Sequence, residues 1–81
     1  MIVKVFGMAN CAGCVTVKSV LKQKGVEFVE LDVMNVDHMA EAQKHGVRGV
    51  PTTVVTHADG VDVFVGSTLQ TLELIKLAVE G

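Results

Sequence analysis

The apolar positions change period several times along the chain, and each change marks an element. Ile2 to Phe6 is a short apolar run rich in β-branched residues, which predicts a strand buried on both faces. Gly7 to Asn10 forms the connection, and a helical rhythm follows. Between Cys11 and Lys24, Cys14, Val17, Val20 and Leu21 share one face, while Lys18, Lys22 and Lys24 lie elsewhere and complement the dipole of the C-terminal half. Gly25 suits the position just past the helix end. Gly13 and the valines give mediocre helix propensity, so this helix depends on packing. Val26 to Val33 predicts a second strand. Asp37 caps a short second helix through Lys44, with Met39 and Ala42 on its core side and Gly46 ending it. Thr53 to Thr56 predicts a third strand, His57-Ala58-Asp59-Gly60 a turn, and Val61 to Val65 the returning strand; Asp-Gly between β-rich runs is a strong hairpin signal. Ser67-Thr68-Leu69-Gln70 fits a capping box, opening a last helix with Leu69, Leu72, Ile75 and Val79 on one side.

The order is βαβαββα. Strand, helix and strand within ~30 residues make a βαβ unit with a parallel pair and a right-handed crossover. The hairpin adds antiparallel strands, so an α/β fold with a four-stranded mixed sheet and three flanking helices is expected. The 81 residues read as a single domain, without repeat or linker. A hydrophobic content of 49% supports a core, and with three Phe and no Trp or Tyr that core rests on Val, Leu, Ile and Met. The net charge is −2 and the lysines are scattered, which argues against nucleic acid and against an anionic membrane surface. No segment reaches the ~18 apolar residues of a membrane span. The N-terminus lacks the pattern of a signal peptide, so a cytoplasmic location is expected. In that reducing compartment a lone cysteine pair is catalytic or metal-binding rather than a staple.

Cys11 and Cys14 are the only cysteines. At the start of a helix, i, i+3 spacing puts both thiols on one face at a distance a disulfide can bridge. The free N–H groups and positive dipole end of a helix N-terminus stabilise a thiolate. Cys11, nearest that end, is therefore the expected nucleophile, and Cys14 is placed to resolve the mixed disulfide. Neighbouring Asn10, Ala12 and Gly13 are candidate substrate contacts.

The order of elements, with Cys11-Ala12-Gly13-Cys14 heading the first helix, resembles the thioredoxin superfamily at glutaredoxin size, over the whole chain. Val5-Phe6-Gly7, three residues, then the cysteine pair and Lys18 are similar to the start of a bacterial glutaredoxin. Val47-Arg48-Gly49-Val50-Pro51-Thr52-Thr53 is more similar to thioredoxin. The resemblance implies that Pro51 is cis and faces the disulfide, and that the Val50 backbone pairs with an extended substrate segment. Gly66 is a candidate for close approach of the substrate backbone. The dipeptide Ala12-Gly13 is neither thioredoxin's Gly-Pro nor glutaredoxin's Pro-Tyr. Thioredoxin's buried aspartate falls at Val5, and glutaredoxin's Gly-Gly and aspartate are replaced by Val65-Gly66-Ser67-Thr68. Redoxins that accept electrons from thioredoxin reductase and feed ribonucleotide reductase share this mixture.

The implied activity is thiol–disulfide exchange on disulfide-containing proteins, with no cofactor beyond the redox-active pair. Reducing equivalents would come from thioredoxin reductase and NADPH or from glutathione, and ribonucleotide reductase is a candidate recipient. No apolar surplus asks for a dimer, so a monomer is expected. The rival from another class is a Cu(I)- or zinc-binding module on the same thiols. Gly7-Met8-Ala9-Asn10-Cys11 is similar to the Gly-Met-x-Cys loop of copper chaperones, with one residue too many. His38, His45 and His57 lack the paired spacing of a zinc site.

Overall fold

The computed structural model describes residues 1–80. Its elements are β1 (Ile2–Gly7), α1 (Ala12–Gln23), β2 (Val29–Asp32), α2 (Val36–Lys44), β3 (Thr52–His57), β4 (Gly60–Val65) and α3 (Leu69–Glu80). The sheet has the order β2-β1-β3-β4. β1 runs parallel to β2, with Phe6 opposite Leu31, and antiparallel to β3, with Val5 opposite Thr53. The β3–β4 hairpin closes at His57 and Gly60.

β1 is central, and alternate residues serve two cores. Val3 and Val5 join Val17, Leu21, Val55, Leu72, Ile75 and Val79 beneath α1 and α3. Phe6 joins Val54 and Ala42 beneath α2, with Leu31, Val33 and Val47 at the margin. α2 covers only part of its face. Beyond it, Val61, Val63 and Val65 of the edge strand stay exposed.

The element order matches the sequence reading, and the differences lie in how the ends close. β2 begins at Val29 rather than Val26 because Val26 belongs to the end of α1. The Val26 N–H donates to Leu21 O and the Gly25 N–H to Lys22 O, with Gly25 at φ 68°, a Schellman closure. Gly46 and Val47 close α2 in the same way onto Gln43 and Ala42. The cap of α2 is Asn35 rather than Asp37. The Asn35 side chain accepts the Asp37 N–H, which leaves the Asp37 charge in the first turn to complement the dipole. Met39 is largely exposed, and Ala42 alone of the expected pair is buried, because a nine-residue helix lying over part of a sheet presents a narrow stripe. α3 is capped by Thr68, whose Oγ1 accepts the Thr71 N–H, so the cap falls one residue later than Ser67 and Leu69 points outward at the first position. Leu72, Ile75 and Val79 form the buried side as expected.

Candidate active site

Cys11 is the N-cap residue of α1, in extended conformation at φ −106° and ψ 105°. Its carbonyl accepts the Val15 N–H, the first bond of the helix. Its Sγ accepts the Cys14 N–H at 3.1 Å. The sulfur thus occupies the place of a capping oxygen, where an N–H donor and the positive end of α1 both favour negative charge. Cys11 is partly exposed, whereas Cys14 is buried at 3% exposure. The two are joined in a disulfide with Cα atoms 5.3 Å apart. An accessible sulfur at the cap and a buried one a turn further in are the arrangement that attack and resolution need.

Local backbone chemistry brings the chain to this point. Asn10 adopts φ 61°, a left-handed conformation that asparagine tolerates better than most residues, and it turns the chain from β1 into the cap. Gly7 and Gly13 are small because sulfur and ring lie against them. A Cβ on Gly7 would stand 3.0 Å from Cys14 Sγ, and one on Gly13 would stand 2.6 Å from Ser67 Oγ and 3.1 Å from Pro51 Cδ. The Val50–Pro51 peptide bond is cis, and Pro51 faces the first turn of α1.

Gly66 also ties two loops together, with open space where a side chain would stand. At φ 94° its N–H donates to Pro51 O at 2.9 Å, which ties the end of β4 to the proline loop. Val50, partly exposed, makes no backbone hydrogen bond outside the helices and strands to another described residue. Its N–H and C=O are therefore without a backbone partner, next in sequence to the Pro51 that packs on the first turn of α1. Ala12 is exposed on the rim. The expected site residues Asn10, Cys11, Ala12, Gly13, Cys14, Val50, Pro51 and Gly66 thus gather at one end of the sheet.

Two concavities flank this end. A groove of about 890 Å³ runs past Cys11, and Met8, Val15, Lys18, Glu30, Asp32 and His38 are among the residues that line it. Lys18 is engaged there, its Nζ 2.6 Å from Glu30 Oε1. A second cavity of about 340 Å³, lined by Met8, Val33, Met39, Val47, Arg48 and Val50, lies on the proline side. Met8 borders both. The contributions of Asp32, Val33 and His38 were not singled out in the sequence, where the first two read as strand residues and His38 as part of the second helix. Among the described residues no group of three or more His, Cys, Asp or Glu side chains could hold a metal ion. Among the described residues no helix is long and apolar enough to cross a membrane.

The family model for glutaredoxin matches residues 3–58, a span holding both cysteines and Pro51. The chain belongs to the glutaredoxin family. Its activity is therefore thiol–disulfide oxidoreduction, carried by a close cysteine pair. No curated protein matches the sequence. Among solved structures, the thioredoxin-like protein BC3987 is 27% identical with a TM-score of 0.71, covering 90% of this chain and 97% of its own. The glutaredoxin-like protein NrdH-redoxin from Escherichia coli, described as having a thioredoxin-like activity profile, is 20% identical with a TM-score of 0.69, covering 93% and 95%. Thioredoxin f from spinach chloroplast is 24% identical with a TM-score of 0.73, covering 95% and 74%. The last two establish likeness of fold. This glutaredoxin thus shares its whole architecture with small thioredoxin-like proteins.

Proposed function

We propose that this glutaredoxin reduces disulfides of other proteins, with Cys11 as nucleophile and Cys14 as resolving thiol. The observation that carries the assignment of roles is the Cys11 sulfur at the cap of α1, accepting the Cys14 N–H while remaining accessible. The Cys11 thiolate attacks one substrate sulfur, and the departing substrate thiolate takes up a proton. The Cys14 thiolate then attacks Cys11 Sγ, the second substrate thiolate leaves, and the pair is left oxidised. Two electrons pass from the dithiol to the substrate. Open backbone groups of Val50, beside Pro51, offer an extended substrate segment a place to pair, with Asn10, Ala12 and Gly13 on the opposite rim.

Thioredoxin reductase is favoured over glutathione as the electron source. Ser67 and Thr68 stand where the resemblance places glutaredoxin's glutathione-binding Gly-Gly and aspartate. Here Ser67 Oγ lies against Gly13 and Thr68 Oγ1 caps α3. The Thr68 hydroxyl is thus engaged by the fold, and Ser67 packs on the first turn of α1. Ribonucleotide reductase is the recipient to test first, and a cytoplasmic monomer is the form proposed.

A coupled assay tests this reading: NADPH consumption with insulin as substrate, driven in parallel by thioredoxin reductase or by glutathione and glutathione reductase. Turnover with thioredoxin reductase alone, abolished in Cys11→Ser, is expected. Turnover only with glutathione would overturn the choice of electron source. No turnover in either arm, together with Cu(I) binding that survives glutathione, would replace the reductase with a metal carrier.

A further inference from the structure

Thr53 is fully buried, and among the described residues its hydroxyl is the one buried side-chain oxygen or nitrogen without a hydrogen-bond partner. It stands on β3 opposite Val5 on one side and Phe64 on the other. Strand alternation puts it on the face shared by Val5 and Val55, beneath α1 and α3. The next position toward the loops on this face of β1 is Gly7, and Pro51 precedes β3 on the neighbouring strand. Cys14 Sγ rests against Gly7, and Gly13 rests against Pro51. The orphan hydroxyl therefore lies on the face that Cys14 covers, on the strand beside Val5 and one position below Gly7, without a hydrogen bond to Cys14 Sγ in the disulfide form. Its cross-strand neighbours Val5 and Phe64 carry no polar side-chain group. The charged residue of that row, Glu30 opposite Val5, is paired with Lys18 at the surface.

A buried hydroxyl without a partner is costly, and cores rarely retain one. A disulfide sulfur is a poor acceptor, but a thiolate is a strong one because the bond is charge-assisted. We infer that Thr53 Oγ1–H is the hydrogen-bond donor that receives the Cys14 sulfur once the pair is reduced. The inference rests on the thiol–disulfide reading of Cys11 and Cys14. A dithiol reductant breaks the Cys11–Cys14 bond by two successive exchanges and is itself oxidised to a disulfide; its two protons pass to the cysteine sulfurs, or to solvent where a sulfur stays a thiolate. Cys14 Sγ then becomes an acceptor above Thr53. The hydroxyl is unsatisfied in one redox state and satisfied in the other, so it biases the pair toward the reduced form and holds Cys14 ready to attack the mixed disulfide.

The test is the thiol–disulfide equilibrium of the full chain against reduced and oxidised dithiothreitol, with urea midpoints measured on both redox forms. Thr53→Val keeps the shape and removes the hydroxyl. It is expected to shift the equilibrium about tenfold toward the disulfide, to raise the midpoint of the oxidised form and not that of the reduced form. Thr53→Ser is expected to retain the wild-type equilibrium, and comparing it with Thr53→Ala provides the same test should the valine variant fold poorly. Equal changes in both redox forms, or a shift below about twofold, would overturn the inference and leave Thr53 a structural residue only. These equilibria are read without turnover. A wild-type chain that equilibrates with dithiothreitol but reduces no insulin would therefore count against the proposed function and not against the hydrogen bond.

Discussion

At the scale of single residues, the buried sulfur is positioned by the lack of a side chain at Gly7. A Cβ there would stand 3.0 Å from Cys14 Sγ and 3.3 Å from Cys14 Cβ. While Cys14 is tied to Cys11 it has little freedom to retreat, so Gly7→Ala is an overpacking change costing about 1–3 kcal/mol in the oxidised protein. After reduction the freed side chain can move aside. Urea denaturation of the variant with and without reductant is expected to show the larger loss in the oxidised form; equal losses would show that the contact does not depend on the disulfide. Cys11, Cys14 and Pro51 were legible in the sequence because their spacing and context are local signals. Gly7, Ser67 and Thr53 were not. Their significance comes from which side chain the fold sets against them, and no run of neighbouring residues records that.

At the scale of elements, helix bodies were legible from their period, while their ends were shifted by competing caps. Asn35 displaced Asp37, and Thr68 displaced Ser67, because each side chain reaches the free N–H of the first turn actually formed. The seating of α2 on the sheet depends on another pair that lies 37 positions apart in sequence: Lys4 of β1 donates to Glu41 of α2 at 2.6 Å. That hydrogen bond, together with the Lys4 charge and a further bond from His45, holds the Glu41 carboxyl below its ordinary value of 4.5. A carboxyl more acidic in the folded than in the unfolded chain contributes stability above the unfolded value and loses it as the pH falls through the depressed one. Glu41→Gln removes this contribution. The gap in urea midpoint between wild type and variant is expected to be widest near about pH 6 and to narrow toward about pH 3. A gap independent of pH would assign the effect to packing of α2 and not to the ion pair.

At the scale of the whole molecule, the βαβ crossover and the hairpin were readable in the chain order, but the antiparallel pairing of β1 with β3 was not. No turn joins those strands; the pairing follows from burying both faces of β1, where Val3 and Val5 serve one core and Phe6 the other. This division also determines what reduction does to the fold. The disulfide links residues three apart. Closing so short a loop removes little entropy from the unfolded chain, which limits its stabilisation to about 2 kcal/mol. Fully buried Leu21, Ile75, Val5 and Phe6 lie below the site and do not rely on the sulfurs for their contacts. A protein that must pass through both redox states in every cycle requires that independence. The reduced chain, and equally the Cys11→Ser/Cys14→Ser variant, is therefore expected to unfold in a single cooperative transition, less stable than the oxidised chain by no more than about 2 kcal/mol. Far-UV circular dichroism during urea titration measures it. Loss of cooperativity on reduction would mean that the cysteine pair keeps the first turn of α1 formed, and that the two cores alone do not.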